Sequence, residues 1–222
     1  MTRLTVTRLA VTQEPLIAGA AQLGIALSAT QAEQLLRLLD ELDVWNQRMN
    51  LTAIRERPQQ ITKHLLDSLS LQPWLRGQRI LDIGTGAGFP GLPLALVNPQ
   101  RSFTLLDATA KKLKFIEHAK ALLSLGNVQT VHARAESYRP PVRFETVVSR
   151  AVGPVNQFIH FAGPLCAGGG RLLAMKGRHP QAEIESLPSG WKLAAIHPVV
   201  VPALDEQRHV VELCRSHDKL DT

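Results

Sequence analysis

Two carboxylates and a run of glycines are the residues in this sequence best placed to do chemistry. Asp82 lies in a short apolar stretch, Arg79–Ile83, that leads straight into Gly84-Thr85-Gly86-Ala87-Gly88-Phe89-Pro90-Gly91. Glycines at this spacing let a backbone turn sharply and approach a ligand with no Cβ in the way. Pro90 can open the helix that follows, and Asn98-Pro99 can close it. Asp107 ends a second apolar stretch, Ser102–Asp107, 23 residues after Gly84. If both stretches are parallel strands, the loop and both acids meet beyond the strands' carboxyl ends, where open α/β sheets hold their ligands.

Three ligands could use such a loop. A P-loop ends in Gly-Lys-Ser/Thr, whereas Gly91 is followed by Leu92 and Pro93, so that reading is excluded. Gly86, Gly88 and Gly91 do satisfy the bare G-x-G-x-x-G spacing of dinucleotide sites. Asp82 argues against it, because a carboxylate beside pyrophosphate is repelled by about 1 to 4 kcal/mol. The same carboxylate attracts an ammonium. S-adenosylmethionine carries an ammonium, a sulfonium and no phosphate, so an acidic glycine loop fits it. Asp107 can accept hydrogen bonds from both ribose hydroxyls, a feature that NAD enzymes share. Ala135-Glu136 follows the third candidate strand, where methyltransferases commonly recognise adenine, and Arg150 follows the fourth. The plainer alternatives are a turn residue and a helix cap for the two aspartates, and solvated side chains for Glu136 and Arg150.

The elements that must position these residues change character at about residue 78. Residues 1–29 read as a tail and a short helix around Pro15 to Leu23. Residues 30–78 read as a helical cap: Thr30 with Glu33 fits a capping box ahead of Leu35, Leu36, Leu38, Leu39 and Leu42. A second amphipathic helix starts at Pro58. From 79 to 222, Arg79–Ile83, Ser102–Asp107, Val128–His132, Phe144–Ser149 and Arg171–Lys176 alternate with helical stretches. That alternation predicts β-α-β units and a mostly parallel sheet. Trp191–Val200 and Arg208–Cys214 are too close for a crossover helix and should pair antiparallel at one edge. The predicted fold class is α/β, a Rossmann-like S-adenosylmethionine methyltransferase sheet with an antiparallel C-terminal hairpin and an N-terminal helical cap.

Composition narrows the class. The chain has 222 residues, 45% hydrophobic and 20% charged, as in ordinary globular proteins. No stretch suits a membrane span, and the N-terminus does not read as a signal peptide. Cys166 and Cys214 belong to no C-x-x-C pair, so a reducing, cytoplasmic setting and no metal site are expected. The net charge is +6, from 8 basic and 7 acidic residues up to Gln78 and 17 and 12 after it. Arg150, Lys176 and Arg208 belong to the larger excess. A basic surface suits a polyanion.

Several further motifs carry a resemblance over roughly Leu35 to Val211. They are Trp45-Asn46, Asn50-Leu51-Thr52, His64-Leu65-Leu66-Asp67-Ser68, Asp82 to Gly91, Leu105-Leu106-Asp107, Ser149-Arg150-Ala151, Lys176-Gly177, and Val201-Pro202-Ala203-Leu204-Asp205 with Arg208-His209. With them the chain resembles the bacterial 16S rRNA guanine-N7 methyltransferases once called glucose-inhibited division protein B. The resemblance implies cofactor contacts at Gly84, Phe89, Asp107, Ala135, Glu136 and Arg150, beside Asp82, Gly86 and Gly88 from the loop itself. It also implies 16S rRNA, or a small-subunit particle, as the partner; a monomer is expected. Lys63 stands where the family often has arginine, and Ala108 where it often has serine. Arg150, Lys176 and Arg208 are the candidates for phosphate or the guanine acceptor edge. No general base is expected, because guanine N7 has a lone pair and no hydrogen. His64 and Asp67 share one helical face, as a tether between helices or as a reactive pair.

Overall fold

β1 (Arg79–Ile83) runs through the middle of a seven-stranded sheet, with β2 (Ser102–Asp107) on one side and β4 (Phe144–Ser149) on the other. The computed structural model describes residues 13–150 and 153–217. The tail expected before residue 13, and Ala151 of the Ser-Arg-Ala motif, lie outside them. Counting β3 (Val128–His132), β5 (Cys166–Lys176), β6 (Trp191–Val199) and β7 (Arg208–Arg215), the strand order is β3-β2-β1-β4-β5-β7-β6. β1 to β5 are parallel, and β7 runs antiparallel to both β5 and β6. The expected hairpin is therefore present, although its second strand inserts between β5 and the first. The order reverses between β1 and β4, and a ligand crevice opens at such a switch point.

Apolar residues on alternate positions feed the sheet's two faces. Ile80, Phe103, Leu105 and Val148 join one core, while Leu81, Ile83, Val147 and Leu172 join the other. The first face carries α3 (Gly91–Val97) and α4 (Ala110–Leu122), together with α1 (Ala29–Met49) and a helical stretch over residues 13–22. The second is covered by α5 (Val155–Ala162), which buries Val155, Phe158 and Ile159. The N-terminal helices thus share one continuous core with the sheet.

The first of these helices starts earlier than its sequence suggests. Ser28, rather than Thr30, is the N-cap of α1: its Oγ accepts from Gln31 N at 3.1 Å, and Ser28 N donates to Gln31 Oε1 at 3.0 Å. Both pairs fit the capping-box pattern, and Ala32 is the first fully buried residue of the helix. Ser28→Ala should therefore cost about 1 kcal/mol of unfolding free energy. Thr30→Ala should cost much less, and urea unfolding of the two variants distinguishes them. The second helix, α2, is continuous from Arg57 to Leu69, but its central turn, Ile61–Leu66, is π-helical. Asp67 N donates to Thr62 O across that wide turn. Such turns cluster at functional sites; His64 lies within this one and Asp67 directly follows it.

Candidate functional site

The glycine loop is folded around the two aspartates. Asp82 is fully buried; its Oδ2 accepts from Thr85 Oγ1 at 2.6 Å and from Gly91 N at 2.9 Å. Only glycine fits at 91, because a Cβ there would stand 2.8 Å from that same oxygen and from Leu105. Asp82 Oδ1 is buried with no hydrogen-bond partner, and burial raises the carboxyl to about 6 despite the bonds from Thr85 and Gly91. Asp107 closes the other side: Oδ2 accepts from Gly86 N at 3.0 Å and Oδ1 from Thr109 N at 2.8 Å. Gly84 and Gly86 have φ of +67° and +62°, and a Cβ at Gly84 would meet nothing within 4 Å. The loop therefore presents bare backbone to open space.

Phe89 links the loop to a second feature. Its ring stacks on His64, centroids 4.7 Å apart, and the Arg150 guanidinium lies 5.6 Å from its centroid. His64 is held in turn by Thr52 Oγ1 at 2.9 Å, and Asn46 clamps the Thr52 backbone through both its amide groups. Burial first, and the charge of Arg150 second, lower the His64 pKa to about 3. Arg150 donates to Lys63 O at 2.9 Å and stands 3.7 Å from buried Asp67, which also accepts from Arg208 Nε at 3.1 Å. Beside Arg150 opens a cleft of about 410 Å³ lined by Lys63, Lys176 and Arg208 as well as by His64 and Asp67. Four cations thus face two lining carboxylates, Asp67 and Glu206. A third acid, Glu183, accepts from Lys176 at 2.8 Å.

Comparison with known proteins decides the family. The family model for GidB, rRNA small subunit methyltransferase G, matches residues 31–211. The chain belongs to this family. It is 46% identical to ribosomal RNA small subunit methyltransferase G of Nitrosococcus oceani over 191 residues, 86% of this chain and 89% of that one. With the protein of the same name from Ectopseudomonas mendocina it shares 44% identity over 205 residues, 91% and 96% of the two chains. Among solved structures, magnesium protoporphyrin IX methyltransferase from Synechocystis superposes with a TM-score of 0.57 at 17% identity, covering 86% of this chain and 99% of that one. A glycopeptide N-methyltransferase complexed with S-adenosylmethionine gives 0.56 at 13%, over 68% and 94%. At such identities the likeness is one of fold, the Rossmann-like methyltransferase sheet.

The expected site residues of this chain fall into two groups. Gly84, Gly86, Gly88 and Phe89 form the loop, Asp107 borders it, and Ala135-Glu136 follows β3 on the same edge, Ala135 buried and Glu136 exposed. Asp82 lies beneath the loop: Thr85 and Gly91 hold its Oδ2, and Oδ1 is left without a hydrogen-bond partner. The second group, Arg150, Lys176 and Arg208, shares one cleft although the three residues come from three strand ends. His64 and Asp67 do not bond each other; each tethers α2 to a different element, Thr52 and Arg208. No local sequence pattern gives a role to Lys63, Glu206 or the Asn46–Thr52 clamp, which are joined by tertiary contacts.

The loop fits S-adenosylmethionine. Open backbone at Gly84 and Gly86 admits a ligand, the Asp107 carboxylate suits a pair of hydroxyls, and the unpartnered oxygen of Asp82 suits a nearby cation. The buried carboxylate of Asp82 beside the loop disfavours pyrophosphate.

Proposed function

We propose that this protein methylates guanine N7 in 16S ribosomal RNA, using S-adenosylmethionine, as a cytoplasmic monomer. One observation carries the reading: Arg150 lies over Phe89 of the glycine loop and lines the cationic cleft beside it. A methyl donor on the loop and an RNA nucleotide in the cleft would therefore meet across one side chain.

S-adenosylmethionine, when bound, supplies an electrophilic methyl group. The chain's work is alignment and exclusion of water, since the nucleophilic nitrogen loses no proton. Its own residues agree with that division of labour. His64, with a pKa of about 3, is too weak a base to take a proton near neutral pH. Asp67 is committed to Arg150 and Arg208. Arg150, Lys176 and Arg208 can hold phosphate, or the O6 and N7 edge of guanine. A base must be unstacked to reach the loop, so single-stranded or particle-bound RNA suits the cleft better than a duplex.

Salt titration of RNA binding tests this reading. Affinity should fall with salt, with a log–log slope of about 0.7 per phosphate contact. Arg150→Ala, Lys176→Ala and Arg208→Ala should each flatten it by about that amount. An unchanged slope in all three variants places the RNA elsewhere on the surface.

A further inference from the structure

Two cations at the mouth of the cleft share a single carboxylate. Glu206 Oε1 accepts from Lys63 Nζ at 2.7 Å, and Oε2 accepts from Arg208 Nη2 at 2.9 Å. Lys63 comes from α2 and Arg208 from the start of β7, while Glu206 sits in the turn joining β6 to β7. Hydrogen bonds from Lys63 and Arg208 hold the Glu206 carboxyl below the usual range, so it is ionised at neutral pH. Its side chain is 48% exposed, against 30% for Lys63 and 18% for Arg208, which puts the acid on the solvent side of both cations. Arg208 does not need Glu206 to stay at the cleft, since Asp67 anchors it through Nε, and the Lys63 backbone is held at the cleft by Arg150. A carboxylate with one oxygen on each of two cations offers the charge and the acceptor pair that a backbone phosphate would offer.

We propose that Lys63 and Arg208 form a subsite for an RNA backbone phosphate, and that Glu206 holds the phosphate's place until substrate displaces it. This deepens the RNA reading above and rests on it. Exposed ion pairs are weak, so exchanging Glu206 for a phosphate is easy for a well-placed RNA. A polyanion that docks elsewhere on the surface gains nothing from the occupied pair, and Glu206 thereby restrains non-specific binding.

The test is a salt titration of binding to a 16S rRNA fragment by the full chain. Glu206→Gln removes the internal anion and should bind RNA roughly three- to tenfold tighter at low salt, with a slope steeper by about 0.7 or more. Lys63→Ala should flatten the wild-type slope by about 0.7, and adding Glu206→Gln to it should recover less than half of the gain. A folded Glu206→Gln protein that binds no tighter, at an unchanged slope, overturns the proposal and leaves Glu206 as a brace for its turn. Should that variant not fold, an unchanged slope for Lys63→Ala overturns it equally. A wild-type affinity indifferent to salt removes the RNA reading together with this one, and is seen without any variant.

Discussion

Replacing Asp107 by alanine should weaken S-adenosylmethionine binding about 10- to 150-fold, or 1.5 to 3 kcal/mol, the scale of hydrogen bonds to a charged group. Two losses combine. The carboxylate is the acceptor available to a pair of ribose hydroxyls, and its Oδ2 also draws Gly86 N across the mouth of β2. The strand itself should survive, since Asp107 is its last residue and the apolar residues behind it keep their packing. Asp107→Asn retains one acceptor oxygen and should fall between the parent and the alanine variant. Calorimetry on the three proteins checks this order, with NAD as the control ligand that should not bind. Equal affinities for all three would remove Asp107 from the cofactor site.

The second large effect concerns acid stability, and it comes from His64. In the folded chain this imidazole stays neutral down to about pH 3, while an unfolded histidine titrates near 6.5. Below pH 6.5 the unfolded state takes up a proton that the folded state refuses, so stability falls as pH drops. Between pH 7 and pH 5 the loss attributable to His64 is about 2 kcal/mol. Asp82 acts in the opposite sense: its carboxyl is raised to about 6, so the folded state binds the proton first and gains stability as pH falls from there toward 4. The effect is therefore read as a difference. The gap in unfolding free energy between wild type and His64→Gln should narrow by about 2 kcal/mol on going from pH 7 to pH 5. Urea unfolding at the two pH values measures it, and a constant gap would mean that His64 is not held neutral by its surroundings.

What could be read from the sequence was what local chemistry dictates. The glycines of residues 84–91 need a tight turn after a strand, and the apolar stretches at Arg79–Ile83, Ser102–Asp107 and Phe144–Ser149 have the length and texture of buried parallel strands; all three are strands at those bounds. The antiparallel hairpin followed from the short Pro-containing link. Its place in the sheet did not, since β7 lies next to β5 through pairing that no local pattern encodes. The capping box was legible as a type but ambiguous in register, with Ser28–Gln31 and Thr30–Glu33 both matching. The π-turn in α2 has no signature in Ile61–Leu66; on it His64 reaches Thr52 and Phe89, and just past it Asp67 meets Arg208. The place of Asp82 beneath the loop and the bridge from Lys63 to Glu206 depend equally on tertiary approach. Composition marked the C-terminal part as basic, and only the fold shows that Arg150, Lys176 and Arg208 share one cleft.

If this chain aligns guanine N7 with a methyl donor, it has no proton to remove. Single-turnover transfer of labelled methyl to 16S rRNA, at saturating cofactor and RNA, tests it when the product is mapped by cleavage at 7-methylguanine. Label should appear at N7 of a guanine, at a rate nearly flat from about pH 6.5 to 8.5, with the His64→Gln chemical step within about tenfold of wild type. Label on any other atom, or a rising acid limb that disappears in His64→Gln, would rule out proton-free attack by N7.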